Sequence, residues 1–186
     1  MGHSGSGKST LLSIIGLIND FDSGKYFLEN KDIKKLNDIE LSKFRMNKIG
    51  FIFQDFYLDE HMTALENVML PMIINDKIKK NERKNIALDL LKKVNMLERA
   101  SHLPKELSGV ELQRIAIARA LANNPTIILE DETTGNLDVE NEKIIFEELK
   151  KLSKNGKCVI VVSHSNEVIK YADIVMNIEK GELTLK

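Results

Sequence analysis

Ten residues at the start of the chain, Met1-Gly2-His3-Ser4-Gly5-Ser6-Gly7-Lys8-Ser9-Thr10, constrain everything that follows. Counted from Gly2 they give the spacing G-x-x-x-x-G-K-S of a phosphate-binding loop. Glycines let successive backbone N–H groups curl toward one point and hold phosphate oxygens with no Cβ in the way. Lys8 brings a cation to the outer phosphates, and the Ser9 hydroxyl suits a Mg²⁺ ligand. Leu11, Ile14, Ile15 and Ile18 recur at helical spacing, so the loop opens a helix whose positive N-terminal end faces the anion. A flexible Gly/Ser tract needs neither the lysine nor the apolar helix. The N-myristoylation pattern Met1-Gly2-x-x-x-Ser6 leaves Lys8 and Ser9 unexplained. Such a loop follows a buried strand, and no residues are available here to make one. The expectation is a fragment, or a strand supplied by another segment.

The rest of the chain reads as strands alternating with helices. Tyr26 to Leu28 and Ile49 to Phe53 have strand character, and the latter delivers Gln54 at its C-terminal end. Asn37, with Glu40 three residues on, caps a helix through Lys48. From about Leu58 to Asn123 helices take over: one follows the box Thr63-x-x-Glu66 and ends or kinks at Pro71, and one runs from about Asn81 to Val94. A third runs from Ser108, boxed by Glu111, through Ala122. Met62, Met69 and Met72 are either core filling or an adaptable docking surface. Strand character returns at Thr126 to Leu129, followed by Glu130, Asp131 and Glu132. A helix from Asp138 to Leu152, a strand from Cys158 to Val162, a short helix from Asn166 to Tyr171 and strands at Ile174 to Ile178 and Leu183 to Leu185 complete the chain. The expected fold is α/β: a mainly parallel sheet flanked by helices, formed by residues 1–57 and 124–186, with an all-helical insertion over 58–123.

Composition excludes other classes. A formal net charge of −1 argues against nucleic-acid binding through a basic face. No apolar run reaches the roughly 18 residues of a membrane span, so no direct membrane insertion is expected. The single cysteine, Cys158, is expected to be a buried strand residue, which fits a reducing, cytoplasmic setting.

Ligand sites in open α/β sheets collect at strand C-termini. Asp131, ending an apolar strand, can bring a carboxylate to a Ser9-bound Mg²⁺. Glu132 points the other way and can polarise an attacking water. His164, after another apolar strand, can reach the outermost phosphate.

The ordered set Gly2 to Thr10, Gln54, Leu107-Ser108-Gly109, Ile127 to Glu132, Gly135-Asn136-Leu137-Asp138 and His164 resembles the ATP-binding subunit of an ABC transporter over essentially the whole chain. Within that family it is most similar to the lipoprotein-release, macrolide-efflux and antimicrobial-peptide or bacteriocin export subgroup. The resemblance implies a P-loop NTPase that hydrolyses ATP to power a separate membrane permease. It places ATP on Gly2, Ser4, Gly5, Ser6, Gly7, Lys8, Ser9 and Thr10, and Mg²⁺ on Ser9, Gln54 and Asp131. Catalytic roles fall to Glu132, His164 and Gln54. It further implies a head-to-tail homodimer closed by ATP, with Ser108 and Gly109 on the opposite subunit's nucleotide and Asp138 at the junction. The protein would then sit on the inner face of the membrane through its permease. Three departures stand out: the upstream strands with the adenine-stacking aromatic are absent, Val110 stands at the signature's second glycine, and Thr133 replaces a proline. A degenerate module that binds nucleotide and barely turns it over is the alternative these departures raise.

Overall fold

The structure, a computed structural model, describes residues 5–132, 139–179 and 181–185. Helix α1 (Lys8–Ile15) opens directly from Gly7, whose φ of 95° lies in the left-handed region that favours glycine. It closes at Gly16, so Ile18 lies beyond the helix and is exposed, contrary to the helical spacing read from sequence. The hairpin β1 (Phe27–Leu28) and β2 (Lys31–Asp32) follows, and then α2 (Asp38–Lys48). Asn37 Oδ1 accepts from the Glu40 N–H at 3.0 Å and Glu40 Oε2 from the Asn37 N–H at 3.0 Å, which satisfies two of the donors a helix start leaves unpaired.

Strand β3 (Ile49–Ile52) leads into α3 (Ala64–Ile73), α4 (Lys80–Lys93) and α5 (Gly109–Ala120). Thr63 and Ser108 cap α3 and α5 through the boxes expected with Glu66 and Glu111. Pro71 lies inside α3, which continues to Ile73. The missing N–H forfeits one bond close to the helix end, where little helix remains to break. Val68, Met72, Ala87, Leu91, Ile115 and Ile117 are almost wholly buried where the three helices meet, in one cluster with Ile52 and Ile128 of the sheet. Each of these side chains larger than Ala87 is worth about 1.5–3 kcal/mol of burial. Met72 is core, and Met69 packs against it, so core filling is their role.

Strand β4 (Ile127–Asp131) pairs in parallel with β3 on one side and with β5 (Cys158–Val162) on the other. Between β4 and β5 the chain runs through α6 (Val139–Lys154), which seats Ile145, Phe146 and Leu149 in the core. An antiparallel hairpin, β6 (Met176–Glu179) and β7 (Glu182–Leu185), ends the fold. The three-stranded sheet has order β3-β4-β5. Among the described residues no strand leads into α1 or covers the second edge of β5. A cavity of about 740 Å³ lies there, lined by apolar residues of α1, β5 and the β6–β7 hairpin together with Cys158. Cys158 is accordingly exposed rather than buried.

Gly50 fixes how closely the sheet approaches α5. A Cβ built on it would stand 2.3 Å from the Ala120 carbonyl oxygen and 2.9 Å from Ile128 Cδ1. No side chain fits there.

Candidate functional site

Parallel pairing in register brings the C-terminal ends of β3, β4 and β5 side by side, with Ile52 opposite Glu130 and Asp131 opposite Val162. Asp131 is the last residue of β4, and just beyond the three ends lie the exposed loop with Gln54, the acid Glu132, and His164. The strand ends at Asp131 as the sequence suggested, and Glu130 within it is fully buried. Chain direction then turns sharply at Glu132. Its φ is 51°, and its N–H donates to the Val162 carbonyl at 2.9 Å.

Residues 5–9 wrap the start of α1 beside these acids. Gly5 (φ 78°) and Gly7 (φ 95°) both use left-handed backbone. Lys8 is the buried first residue of the helix, with Thr10 exposed in its first turn. The Ser9 hydroxyl donates to Asp131 Oδ1 at 3.0 Å, and Lys8 Nζ lies 3.9 Å from Glu132 Oε1. His164 Nε2 stands 2.8 Å from the same Oε1 atom. One carboxylate oxygen thus lies within reach of both the lysine and the histidine.

His164 is held from behind. The Ser165 N–H donates to the buried Ser163 hydroxyl at 3.0 Å, and Ser165 Oγ donates to Glu142 Oε2 at 2.9 Å. These bonds fix the turn on both sides of the histidine and tie it to α6. Sequence offered no signal for them, because neighbouring serines are ordinary in loops.

The loop suits a triphosphate. Ser6 Oγ is buried with no hydrogen-bond partner, a polar atom that a phosphate oxygen would satisfy, and the left-handed glycines leave backbone N–H groups free of side-chain cover. Ser9 and Asp131 supply two oxygens 3.0 Å apart, which fits Mg²⁺, an ion that takes one or two protein oxygens and keeps its other positions for water and phosphate. Among the described residues no cluster of three His, Cys, Asp or Glu side chains forms a richer metal site.

Ser108 and Gly109 lie apart from this centre, exposed at the N-terminus of α5. Ser108 N–H and Oγ both donate to Glu111 Oε2 at 2.9 Å, and Arg99 Nε donates to Glu111 Oε1 at 3.0 Å. Those bonds, the Ser108 N–H first, hold the Glu111 carboxyl below its ordinary pKa. The Gly2, Ser4 and Asp138 positions, with Thr133 and residues 134–137, fall outside the described residues. Sequence reasoning missed Arg119, whose guanidinium donates to the carbonyls of Phe56 and Tyr57 in the loop after Gln54. Its place in the signature run Leu107 to Leu121 and its lone charge in the small apolar stretch from Ile115 to Ala122 marked the residue, but neither pointed to this contact.

The ABC transporter family pattern matches residues 1–135. The ABC transporter ATP-binding protein YvrO of Bacillus subtilis is 48% identical over 185 residues, covering 100% of this chain and 80% of that protein. The lipoprotein-releasing system ATP-binding protein LolD of Aquifex aeolicus is 43% identical over 183 residues, covering 98% of this chain and 81% of its own length. Among solved structures, the dimeric post-hydrolysis state of the ATP-binding cassette MJ0796 of Methanocaldococcus jannaschii, bound to ADP and Pi, superposes with a TM-score of 0.87 at 43% identity, over 100% of this chain and 83% of that one. The chain belongs to the ABC transporter family and is one of its ATP-binding cassettes.

Proposed function

We propose that this ATPase cassette hydrolyses Mg²⁺–ATP through Glu132, with His164 and Gln54 setting the geometry, and that it does so between two copies of the chain. The supporting observation is the placement of Glu132 Oε1 between Lys8 Nζ at 3.9 Å and His164 Nε2 at 2.8 Å. Residues 5–10 cradle the triphosphate, and Lys8 neutralises its outer oxygens. When bound, Mg²⁺ supplies charge neutralisation between the β- and γ-phosphates, and Ser9, Asp131 and Gln54 are the residues that would hold it. Glu132 orients a water and accepts its proton as the water oxygen bonds to the γ-phosphorus and the bond to the ADP oxygen breaks. His164 keeps the carboxylate aimed.

Ser108 and Gly109 reach the nucleotide of the opposite subunit in a head-to-tail homodimer, with Asp138 at the junction. Two features support this: the exposed N-terminus of α5 leaves its first N–H groups available to an anion, and the similar MJ0796 cassette is dimeric with ADP and Pi. The permease docks on the helical insertion, residues 58–123, where Leu70, Ile73 and Ile74 are exposed at the end of α3. No helix among the described residues is long and apolar enough to cross a membrane. Attachment to the inner face of the membrane runs through that permease partner. LolD, the lipoprotein-releasing relative, supports export or extraction as the work performed.

Glu132→Gln tests the assignment. The amide keeps the shape and loses the basicity, so turnover falls by roughly 10²–10⁴-fold while ATP still binds. Size-exclusion chromatography with Mg²⁺–ATP then shows a dimer, because unhydrolysed nucleotide stabilises the species that holds it. A Glu132→Gln variant with wild-type turnover removes Glu132 from the role.

A further inference from the structure

The loop after β3 adopts an unfavourable shape that something must hold. Phe56 (φ 58°) and Tyr57 (φ 46°) are consecutive and both left-handed, a region bulky side chains avoid. The turn is closed by the Phe56 N–H on the Phe53 carbonyl at 3.1 Å and the Tyr57 N–H on the Asp55 carbonyl at 2.6 Å, and Gln54 sits within it. Tyr57 crosses the Phe53 ring edge-on, with centroids 5.2 Å apart. The carbonyls that this twist turns toward α5 are the two that Arg119 bonds, one with each terminal nitrogen of its guanidinium. A rigid planar fork suits two adjacent acceptors in a way an ammonium does not. A residue serving only the negative end of its own helix would have no need to grip two carbonyls of another segment.

We propose that Arg119 is a positioning residue for ATP hydrolysis: it latches the turn carrying Gln54 to α5, so that Gln54 keeps one place at the site and moves only with that helix. Ser108 and Gly109 begin the same helix. The latch therefore makes the signature end of α5 and the Gln54 turn one mechanical unit. The positioning role rests on reading Gln54 as a nucleotide-facing residue; the latch itself rests on the two bonds and the two strained residues.

The test compares Arg119→Met, Arg119→Lys, Arg119→Lys/Tyr57→Asn, Gln54→Ala and Gln54→Ala/Arg119→Met in the full chain by amide hydrogen exchange and steady-state kinetics. In Arg119→Met, exchange at residues 55–58 speeds by about tenfold or more, as local opening becomes easier, and Arg119→Lys is affected less. In Arg119→Met kcat falls about tenfold while KM for ATP stays within about twofold, because a displaced group costs rate rather than binding. The double variant is no slower than Gln54→Ala. In Arg119→Lys, adding Tyr57→Asn, which tolerates left-handed backbone, restores part of the lost turnover. Unchanged loop exchange in Arg119→Met, or additive losses in the double variant, overturns the proposal. If Arg119→Met does not fold, Arg119→Lys and Gln54→Ala/Arg119→Lys carry the two comparisons. Wild-type turnover in Gln54→Ala overturns the reading of Gln54 itself, an outcome the exchange data separate from a failed latch.

Discussion

His164 Nε2 lies 2.8 Å from Glu132 Oε1 although the two residues sit beyond the ends of different strands, β5 and β4. A left-handed backbone at Glu132 and a serine-anchored turn at His164 are both needed to bring them together. His164→Ala should therefore free the Glu132 carboxylate to wander. A misplacement of about 1 Å costs on the order of 10²-fold in rate, so kcat falls by that order while KM for ATP changes little, because Lys8 still holds the phosphates. Steady-state kinetics decide it, and equal kcat in the two proteins removes His164 from the mechanism.

Lys8 is buried at the first position of α1, where its charge is little shielded by water. Removing one charge-assisted hydrogen bond costs about 1.5–3 kcal/mol. Lys8→Ala should weaken ATP binding by roughly one to two orders of magnitude at that cost. Titration with a fluorescent nucleotide measures it, and an unchanged affinity contradicts the phosphate-loop assignment.

Gly50 tests the fold rather than the chemistry. The atom facing an added Cβ at 2.3 Å is the Ala120 carbonyl oxygen, part of a helix that cannot step aside as a flexible side chain would. Gly50→Ala should cost about 3 kcal/mol, at the upper end for overpacking, and lower Tm by roughly 6–12 °C at 2–4 °C per kcal/mol. A thermal melt within about 2 °C of the parent means the sheet and α5 slide apart more easily than their packing implies.

Two capping glutamates give acid stability a definite sign. Hydrogen bonds from Thr63 to Glu66 and from Ser108 to Glu111, the backbone N–H first in each case, lower the carboxyl pKa values below the ordinary 4.5. A lowered folded value means that the contribution is complete above 4.5 and is lost as pH falls through the folded values. Glutamine at N3 still accepts from the cap but does not titrate. The Glu66→Gln/Glu111→Gln variant should therefore show a flatter decline of Tm between pH 5 and pH 3 than the parent. Parallel acid branches would mean that these caps do not couple to folding.

What could be read from the sequence was what neighbouring residues decide among themselves. The boxes at Asn37, Thr63 and Ser108 form as expected because donor and acceptor are three residues apart. Asp131 beside Ser9 also follows, since a loop opening a helix and an acid ending a strand meet at the same edge of a parallel sheet. Hidden features depend on distant contacts. Ile18 keeps helical spacing but follows Gly16, where the helix stops. Cys158 sits in an apolar run yet faces the cavity beside β5. Glu130 resembles its two acidic neighbours in sequence and is buried, because β4 runs on between two parallel partners. The Arg119 fork joins segments more than sixty residues apart, which no local pattern announces.

Val110 bears on whether the proposed dimer turns over fast or slowly. It is the second residue of α5, directly after Gly109 and two past the cap Ser108, within the first turn, where backbone N–H groups lack helical partners. If the opposite subunit's γ-phosphate docks there, a glycine allows close approach to the backbone, whereas valine adds a branched side chain stiff at χ1. Helix propensity slightly favours valine over glycine, so Val110→Gly should not raise the stability of the isolated subunit. The gain should appear in closure: higher ATPase turnover and stronger ATP-dependent dimerisation, with monomer ATP affinity nearly unchanged because Lys8 and Ser9 belong to the other nucleotide contact. Matched turnover and binding curves for the two proteins measure this. Equal turnover means that valine is tolerated in the signature, and a large shift in monomer affinity means that residue 110 touches its own subunit's nucleotide.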